Sequence, residues 1–531
     1  MWTLRLSRFR WVGWLAAAVL IAYVALTLRV PSLDQRPMHG DEANQAVRTG
    51  GLLDEGVYHY DPNDHHGPVL YFAALPFCRA TAKTFADTTE WNYRLVPVAF
   101  SLLTLALMLG LGALFPNRIG LYAAVLLTAV SPAMVYYSRF FIQESLLVTF
   151  LTGMLFCAVR YAATADRQSS IAWAAGFGAC AGLAVATKET VVLSFAAAAI
   201  AAVAACGPRR LLRAWSTRDA LLALGVAALV AVLLFSSFLT YPRGVYDALF
   251  STVGAYAKRA TAVPEHQHPW DFYVRTIFWF RYGKGPVWSE AGILIPAALA
   301  VAAAFWKPRT HAQASTSPSS LLSPLFLPWL RFTAVYTLVL TALYSAIPYK
   351  TPWCALSFLH GFILLAGVGI GLVFAGCGRL RWPPARVAAW AVLAVLVGLL
   401  VRRHRDQADK ACFKLPADPR NPYVYAHTGT DAMNLLAEIE RAAQQADGYD
   451  TLIAFAVPTP DTWPLPWYLR KYRRVGYWTS VAEIPPSLAP TVVVAAADQG
   501  GEADDRFGRG KRASFFGIRP GTLLNVFVPE K

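Results

Sequence analysis

Residues 11–51 read "WVGWLAAAVLIAYVALTLRVPSLDQRPMHGDEANQAVRTGG". From Trp11 to Leu28 no residue carries a charge, and roughly 17–25 mostly apolar residues suffice to cross a bilayer as a helix. The stretch therefore opens as a membrane anchor. The residues after the anchor are no bland linker: the acid pair Asp41-Glu42 has His39 before it and Asn44 and Arg48 after it. Two questions come out of this stretch. One is whether the chain repeats the anchor, and the other is why hydrogen-bonding and ionisable groups crowd the water–lipid boundary behind it.

Composition answers the first. Of 531 residues, 56% are hydrophobic and 13% aromatic, and only 15% are charged, against roughly 25% in soluble domains. Only helices and closed barrels satisfy all backbone polar groups in lipid. Eleven segments qualify as spans, near 11–29, 93–115, 119–137, 142–160, 171–187, 190–206, 220–241, 287–306, 325–346, 354–376 and 385–402. The expected fold class is a polytopic α-helical membrane protein with about eleven transmembrane helices and a small extracytoplasmic C-terminal α/β domain. The net charge of +16 does not indicate nucleic-acid binding, because most basic residues fall in short loops between apolar segments. The seven cysteines show no CxxC spacing and read as small hydrophobes rather than as zinc ligands or a disulfide framework.

Orientation follows from Lys and Arg. The start, "MWTLRLSRFR", is basic; with it inside, the inner loops hold Arg118, Arg160, Arg167, Arg209, Arg210, Arg213, Arg218, Lys307, Arg309, Arg379, Arg381 and Arg386, with Asp166 and Asp219 the only acids. No small-x-small site ends the first span, so it is expected to stay uncleaved. The expected domains are 1–402, a transmembrane unit with large outer loops 30–92 and 242–286, and 403–531 outside. "HAQASTSPSSLLSP" (311–324) reads as a flexible cytoplasmic linker. In the tail, "TLIAFAV" (451–457) and "TVVVAAA" (491–497) read as strands, and 431–445 and the part of 462–472 after its prolines as helices, an α/β alternation.

Ionisable residues gather on the expected outer face. They are His39, Asp41 and Glu42; His65 and His66 in "DPNDHHGPVLY"; Arg139 and Glu144 in "YYSRFFIQES"; Lys188 and Glu189 in "TKET"; and Lys350, with Tyr349 and Trp353, in "IPYKTPW". Each alone has a plain reading. An acid pair after a span is commonly a solvated loop, basic residues snorkel to headgroups, and paired histidines commonly serve a loop. "EHQH" (265–268) has metal-ligand side chains with no partner fixed. Joint placement at the ends of several helices predicts instead a pocket at the membrane boundary, with Lys350 held at its mouth by Pro348 and Pro352. In loop 242–286, Val245, Leu249, Val253 and Tyr256 recur at helical spacing, and Trp270, Phe272, Tyr273, Phe278, Trp279, Phe280 and Tyr282 come after them. These read as helices lying in the interface or as an ordinary aromatic belt.

A carboxylate can deprotonate an attacking hydroxyl, and Arg and Lys neutralise phosphate. Together they suggest group transfer from a lipid phosphate. The motifs "MHGDEA", "HHGPVLY", "YSRFFIQES", "ATKE" and "YSAIPYKTPW", with "NPYVYAHT" and "PWYLRKY" in the tail, resemble the multi-spanning glycosyltransferases that use lipid-phosphate sugars. That superfamily (C-type fold) includes the protein O-mannosyltransferases and aminoarabinose transferases, and the motifs look most like its subgroup of flippase-activity-associated proteins of archaea and bacteria. The resemblance implies an inverting glycosyltransferase of the cytoplasmic membrane, N-terminus inside, acting in cell-surface glycan or glycolipid synthesis. Its partners would be a polyprenyl-phosphate-linked sugar and a lipid or glycan acceptor. Asp41 is then the base, and Glu42 orients it or binds acceptor. Arg139, Lys188 and Lys350 are phosphate ligands, and His39, His65, His66, Glu144, Glu189, Tyr349 and Trp353 bind substrate. Some relatives place a metal-binding acid where Glu144 stands, but no second Asp joins it, so a divalent metal cofactor stays open. Two rivals also stay open, a flippase or flippase-associated accessory protein and a secondary transporter. Against the transporter, charge is nearly absent from the span interiors, His360 and Arg331 excepted.

Overall fold

The computed structural model describes residues 2–62, 66–252, 254, 266–306 and 326–530. His65, Val253, Tyr256 and the 311–324 linker lie outside the described residues. The chain forms two compact units: Met1–Pro31, Tyr58–Leu70 and Val96–Lys414 make the first, and Ser32–Val57, Tyr71–Leu95 and Leu415–Lys531 the second. Most of the 30–92 loop thus folds with the tail.

The chain is a polytopic α-helical membrane protein with a small sheet domain. Each of the eleven expected spans overlaps helix, and among the described residues seven helices are long and apolar enough to cross a bilayer: Val12–Arg29, Glu90–Leu109, Glu144–Ala163, Thr217–Phe235, Phe326–Ala346, Pro352–Cys377 and Pro383–Lys414. Val69–Arg79, Arg118–Val130, Val191–Cys206 and Ala291–Phe305 are apolar but shorter. The expected span 119–137 is broken, because Pro132 has no N–H to continue a helix. Ser131 ends Arg118–Val130 and caps the short helix Pro132–Tyr137. Several helix starts in the first unit are fixed by side-chain caps. Asn117 accepts from Gly120 N, Asp166 from Ser169 N and Ser216 from Asp219 N.

Small residues set helix spacing, as expected where lipid offers no hydrophobic drive between helices. Gly178 and Gly182 face Ala223 and Ala227 of Thr217–Phe235, and a Cβ at either glycine would meet backbone. In loop 242–286, a single turn Arg243–Tyr246 runs into the wider turn Asp247–Ser251, and Val274–Phe278 is a second wide turn. Leu249, Trp270, Trp279 and Tyr282 are exposed while Tyr273 is buried, the distribution an interfacial segment requires.

The second unit holds a five-stranded sheet of β1 (Ile453–Ala456), β2 (Val475–Trp478), β3 (Val492–Ala496), β4 (Lys511–Arg519) and β5 (Thr522–Pro529), in the order β2-β1-β3-β5-β4. β1 runs parallel to β2 and β3, and β5 antiparallel to β3 and β4. The helix Asp431–Gln444 buries Ala432, Leu435 and Ile439 on one face of the sheet, and Ala503 packs on the other. The helix expected after the prolines of 462–472 is only the single turn Leu465–Tyr468.

Gly182→Leu must push apart two helices whose backbones touch. Overpacking of this kind costs about 1–3 kcal/mol, so the purified variant is expected to melt measurably below wild type. An unchanged melting temperature would contradict the close approach.

Candidate active site

In the second unit the acid pair opens the helix Gly40–Glu55, where both carboxylates favour the positive end of the helix dipole. Consecutive helical residues point about 100° apart, and the two acids separate accordingly. Asp41 keeps 52% of its side chain exposed, whereas Glu42 has none exposed. Glu42 accepts from Arg94 Nε at 2.9 Å and Nη2 at 2.8 Å, and Arg36 lies 2.9 Å away. The remaining Arg94 donors reach the carbonyls of Leu33 (2.5 Å), Arg36 (2.8 Å) and Pro37 (3.2 Å). All five guanidinium donors are thus directed at one turn of chain, a use for which Lys has no equivalent.

His39 caps the helix. Its Nδ1 accepts from Asp41 N at 2.9 Å, while Glu42 closes a capping box by accepting from His39 N at 3.0 Å. Nε2 lies 2.9 Å from the Tyr425 carbonyl, so the neutral tautomer with its proton on Nε2 satisfies both ring nitrogens. The His427 ring meets it edge-on at 4.9 Å. Thr428 donates to the Met38 carbonyl at 2.7 Å, and Met38 N donates to Tyr468 Oη at 2.8 Å. The tail motifs "NPYVYAHT" and "PWYLRKY" therefore hold the loop that carries Asp41. Asn44, one turn on from Asp41, has a buried Oδ1 with no partner among the described residues. Burial pushes the His39 pKa below its ordinary value, against the pull of Asp41 and Glu42. His427 is pushed well below by burial and by His39.

In the first unit the other motifs meet pairwise. Gly67 allows the "HHGP" segment to lie against Ala186, whose carbonyl a Cβ would strike, and Val69 N donates to that carbonyl at 3.0 Å. The result is His66 Nδ1 at 2.8 Å from Glu189 Oε2, with Tyr60 donating to the same carboxylate. Lys188, also buried, pairs with Glu144 and lies 3.8 Å from Cys354 Sγ. Burial works against the Lys188 charge, but Cys354 and Glu144 outweigh it and hold its pKa above the ordinary value. Glu144 Oε2 has no partner among the described residues. Trp353 packs edge-on to Phe140 and Tyr137.

Two expected phosphate ligands are more enclosed than the sequence suggests. Lys350 is not at an open mouth: it is 1% exposed, and its ammonium donates to the carbonyls of His268 (3.0 Å) and Ile347. The enclosure comes from pairing of 266–268 with 348–350, where Lys350 N donates to His266 O and His268 N to Pro348 O; Tyr349 bridges Gln267 and meets the His266 ring. Burial lowers the Lys350 pKa. Arg139 donates to the Arg29 carbonyl at 2.8 Å and lies over the Phe413 ring. Among the described residues, no three His, Cys, Asp or Glu side chains converge as a metal-ligand set. Arg94 and Glu290 escaped the sequence reading. Fully buried Glu290 accepts from Ser131 Oγ at 2.5 Å and Ala133 N at 3.0 Å. The signal for the capping box, His39-x-x-Glu42, was there but unusual, since caps are mostly Ser, Thr, Asp or Asn.

Residues 65–241 match the family model described as dolichyl-phosphate-mannose-protein mannosyltransferase. No curated protein matches the chain by sequence. Among solved structures, ArnT from Cupriavidus metallidurans bound to undecaprenyl phosphate matches with a TM-score of 0.63 at 14% identity, over 97% of this chain and 98% of that one. AglB, the oligosaccharyltransferase of Archaeoglobus fulgidus, in complex with an inhibitory peptide and a dolichol-phosphate, matches with a TM-score of 0.57 at 12% identity, over 98% of this chain and 75% of that one. The chain therefore shares its fold with these two membrane proteins along nearly its whole length.

Arg94→Met takes from buried Glu42 its bidentate guanidinium partner and is expected to cost about 3 kcal/mol or more in stability, read as a fall in melting temperature; a wild-type midpoint would show that the pair carries no weight. The folded chain holds His39 neutral while the unfolded chain takes up a proton below about 6.5. Stability from His39 is therefore fully present above that pH and lost as pH falls through the depressed folded value. His39→Asn, which keeps a capping acceptor, should flatten the acid side of the melting-temperature profile, leaving the share of His427. An unchanged slope would contradict this.

Proposed function

We propose that the chain transfers a sugar from a polyprenyl-phosphate donor to a hydroxyl acceptor on the outer face of the cytoplasmic membrane. The observation that carries this reading is the exposed carboxylate of Asp41 on a helix start fixed from behind by Glu42, Arg94 and His39. A positioned base of this kind requires a rigid mount and open access to its substrate. The superfamily fold and the match to the mannosyltransferase model support the reaction class.

In the proposed reaction Asp41 removes the acceptor hydroxyl's proton as that oxygen bonds to the anomeric carbon. The bond from this carbon to the donor phosphate oxygen breaks, and its electron pair leaves with the phosphate. One displacement with one base inverts the anomeric configuration. The leaving lipid phosphate gains a negative charge, which Lys188, Lys350 and Arg139 are assigned to neutralise. For Lys188 this means exchanging Glu144 for phosphate. Glu42 is assigned a positioning role, because a fully buried carboxylate has no access to an acceptor. His39 positions the same turn, and His66 with Glu189 holds the lysine turn. The N-terminus is assigned to the cytoplasm and the tail to the outside, from the basic loops.

The test is sugar transfer by the purified protein from a radiolabelled polyprenyl-phosphate sugar. Asp41→Asn keeps shape and removes basicity, so turnover should fall by roughly 10²–10⁴ at an unchanged melting temperature. Full activity in a well-folded Asp41→Asn protein would sink the reading and favour a flippase-associated or scaffold role, which has no need of a base.

A further inference from the structure

The first unit encloses a chamber of about 790 Å³. Protein interiors leave few voids larger than a water molecule, and this volume lies in the range of sites that bind whole small molecules. Its walls come from Glu144–Ala163, Arg167–Val185, Val191–Cys206, Thr217–Phe235, Phe326–Ala346 and Pro352–Cys377, with Pro208–Ala214 at one end. Small side chains in membrane helices usually let backbones approach. Here Ala158, Ala181, Ala198, Ala202 and Ala205 line open space instead. The lining is mostly apolar, with Ser194, Tyr336 and His360 among its few polar side chains, a surface suited to hydrocarbon.

One end of the chamber is polar in a specific way. Arg210, on the helix Pro208–Ala214, lines it and is exposed, as are its neighbours Cys206 and Ala214, so the chamber reaches the surface there. Tyr161 and Trp215, stacked at 4.3 Å, line the same end, the type of aromatic pair that sits at headgroup level. The nearby acid is already engaged: Asp219 accepts from Tyr161 at 3.0 Å and faces Arg167. Among the described residues Arg210 forms no ion pair, and its charge faces the chamber mouth uncompensated. An apolar chamber with a cation at its mouth matches a molecule with a hydrocarbon chain and an acidic head.

We propose that this chamber binds the hydrocarbon chain of an acidic phospholipid whose phosphate sits at Arg210. The site is separate from the proposed donor machinery: none of Arg139, Lys188 and Lys350 lines the chamber. The inference does not rest on the transfer reaction, and its test does not read that reaction.

The probe is phosphatidic acid with a photoreactive diazirine in its acyl chain, and the control is the matching neutral diacylglycerol. Cross-linking to the purified full chain should map to Glu144–Ala163 and Val191–Cys206. Ala198→Trp fills the chamber and should remove most of this labelling; Ala202→Phe serves if the first variant melts early. Arg210→Glu should weaken phosphatidic acid labelling about fivefold or more and leave diacylglycerol labelling unchanged. Wild-type labelling in a well-folded filled variant would overturn the proposal, as would Arg210→Glu affecting both probes equally or neither. Labelling that a polyprenyl-phosphate sugar displaces, and that Arg210→Glu leaves alone, would overturn it by assigning the chamber to the donor's chain.

Discussion

The second unit turns on one buried carboxylate. Glu42 is wholly removed from water and meets two guanidinium groups, so its charge is tolerable only with both partners in place. That requirement ties three pieces of chain together: the turn 33–37, the start of the helix Gly40–Glu55 and the start of the helix Glu90–Leu109. Arg94 is the hub, because its planar group has enough fixed donors to serve the carboxylate and three carbonyls at once. Such an arrangement contributes rigidity more than stability, and a general base has need of rigidity. A base that wanders by an ångström loses much of its advantage.

The neighbouring acid takes the opposite position. Asp41 contributes its backbone N–H to the His39 cap and leaves its carboxylate in solvent. Two adjacent residues of the same charge thus divide into a buried and an exposed carboxylate by helical geometry alone. The first unit is built on a comparable division. The pairing of 266–268 with 348–350, and the approach of Gly67 to Ala186, bring side chains from distant parts of the sequence into contact. In each case a backbone contact sets the position and the side chain is carried with it.

Much of this was legible in the sequence, for identifiable reasons. Lipid leaves the backbone little choice but helix, so apolar runs located the spans even where caps such as Ser216 moved their ends. β1 and β3, buried and β-branched, announced themselves. β4 did not, because half-exposed polar residues and a register irregularity near Gly517 break its alternation. The acid pair stood out as chemistry, but its division did not: Arg94 lies far along the chain, and nothing local in "EWNYRLVPV" points to Glu42. The enclosure of Lys350 was likewise invisible, since it depends on a strand-like pairing with a loop rather than on its flanking prolines.

The central claim is that Glu42 and Arg94 act as one unit in building the mount for Asp41. A double-mutant cycle on melting free energy, with Glu42→Gln, Arg94→Met and the two combined, measures this directly. The account predicts strong coupling: each single change is costly, and the double variant costs little more than the worse of the two. Additive costs, with each change acting as though the other residue were absent, would contradict it.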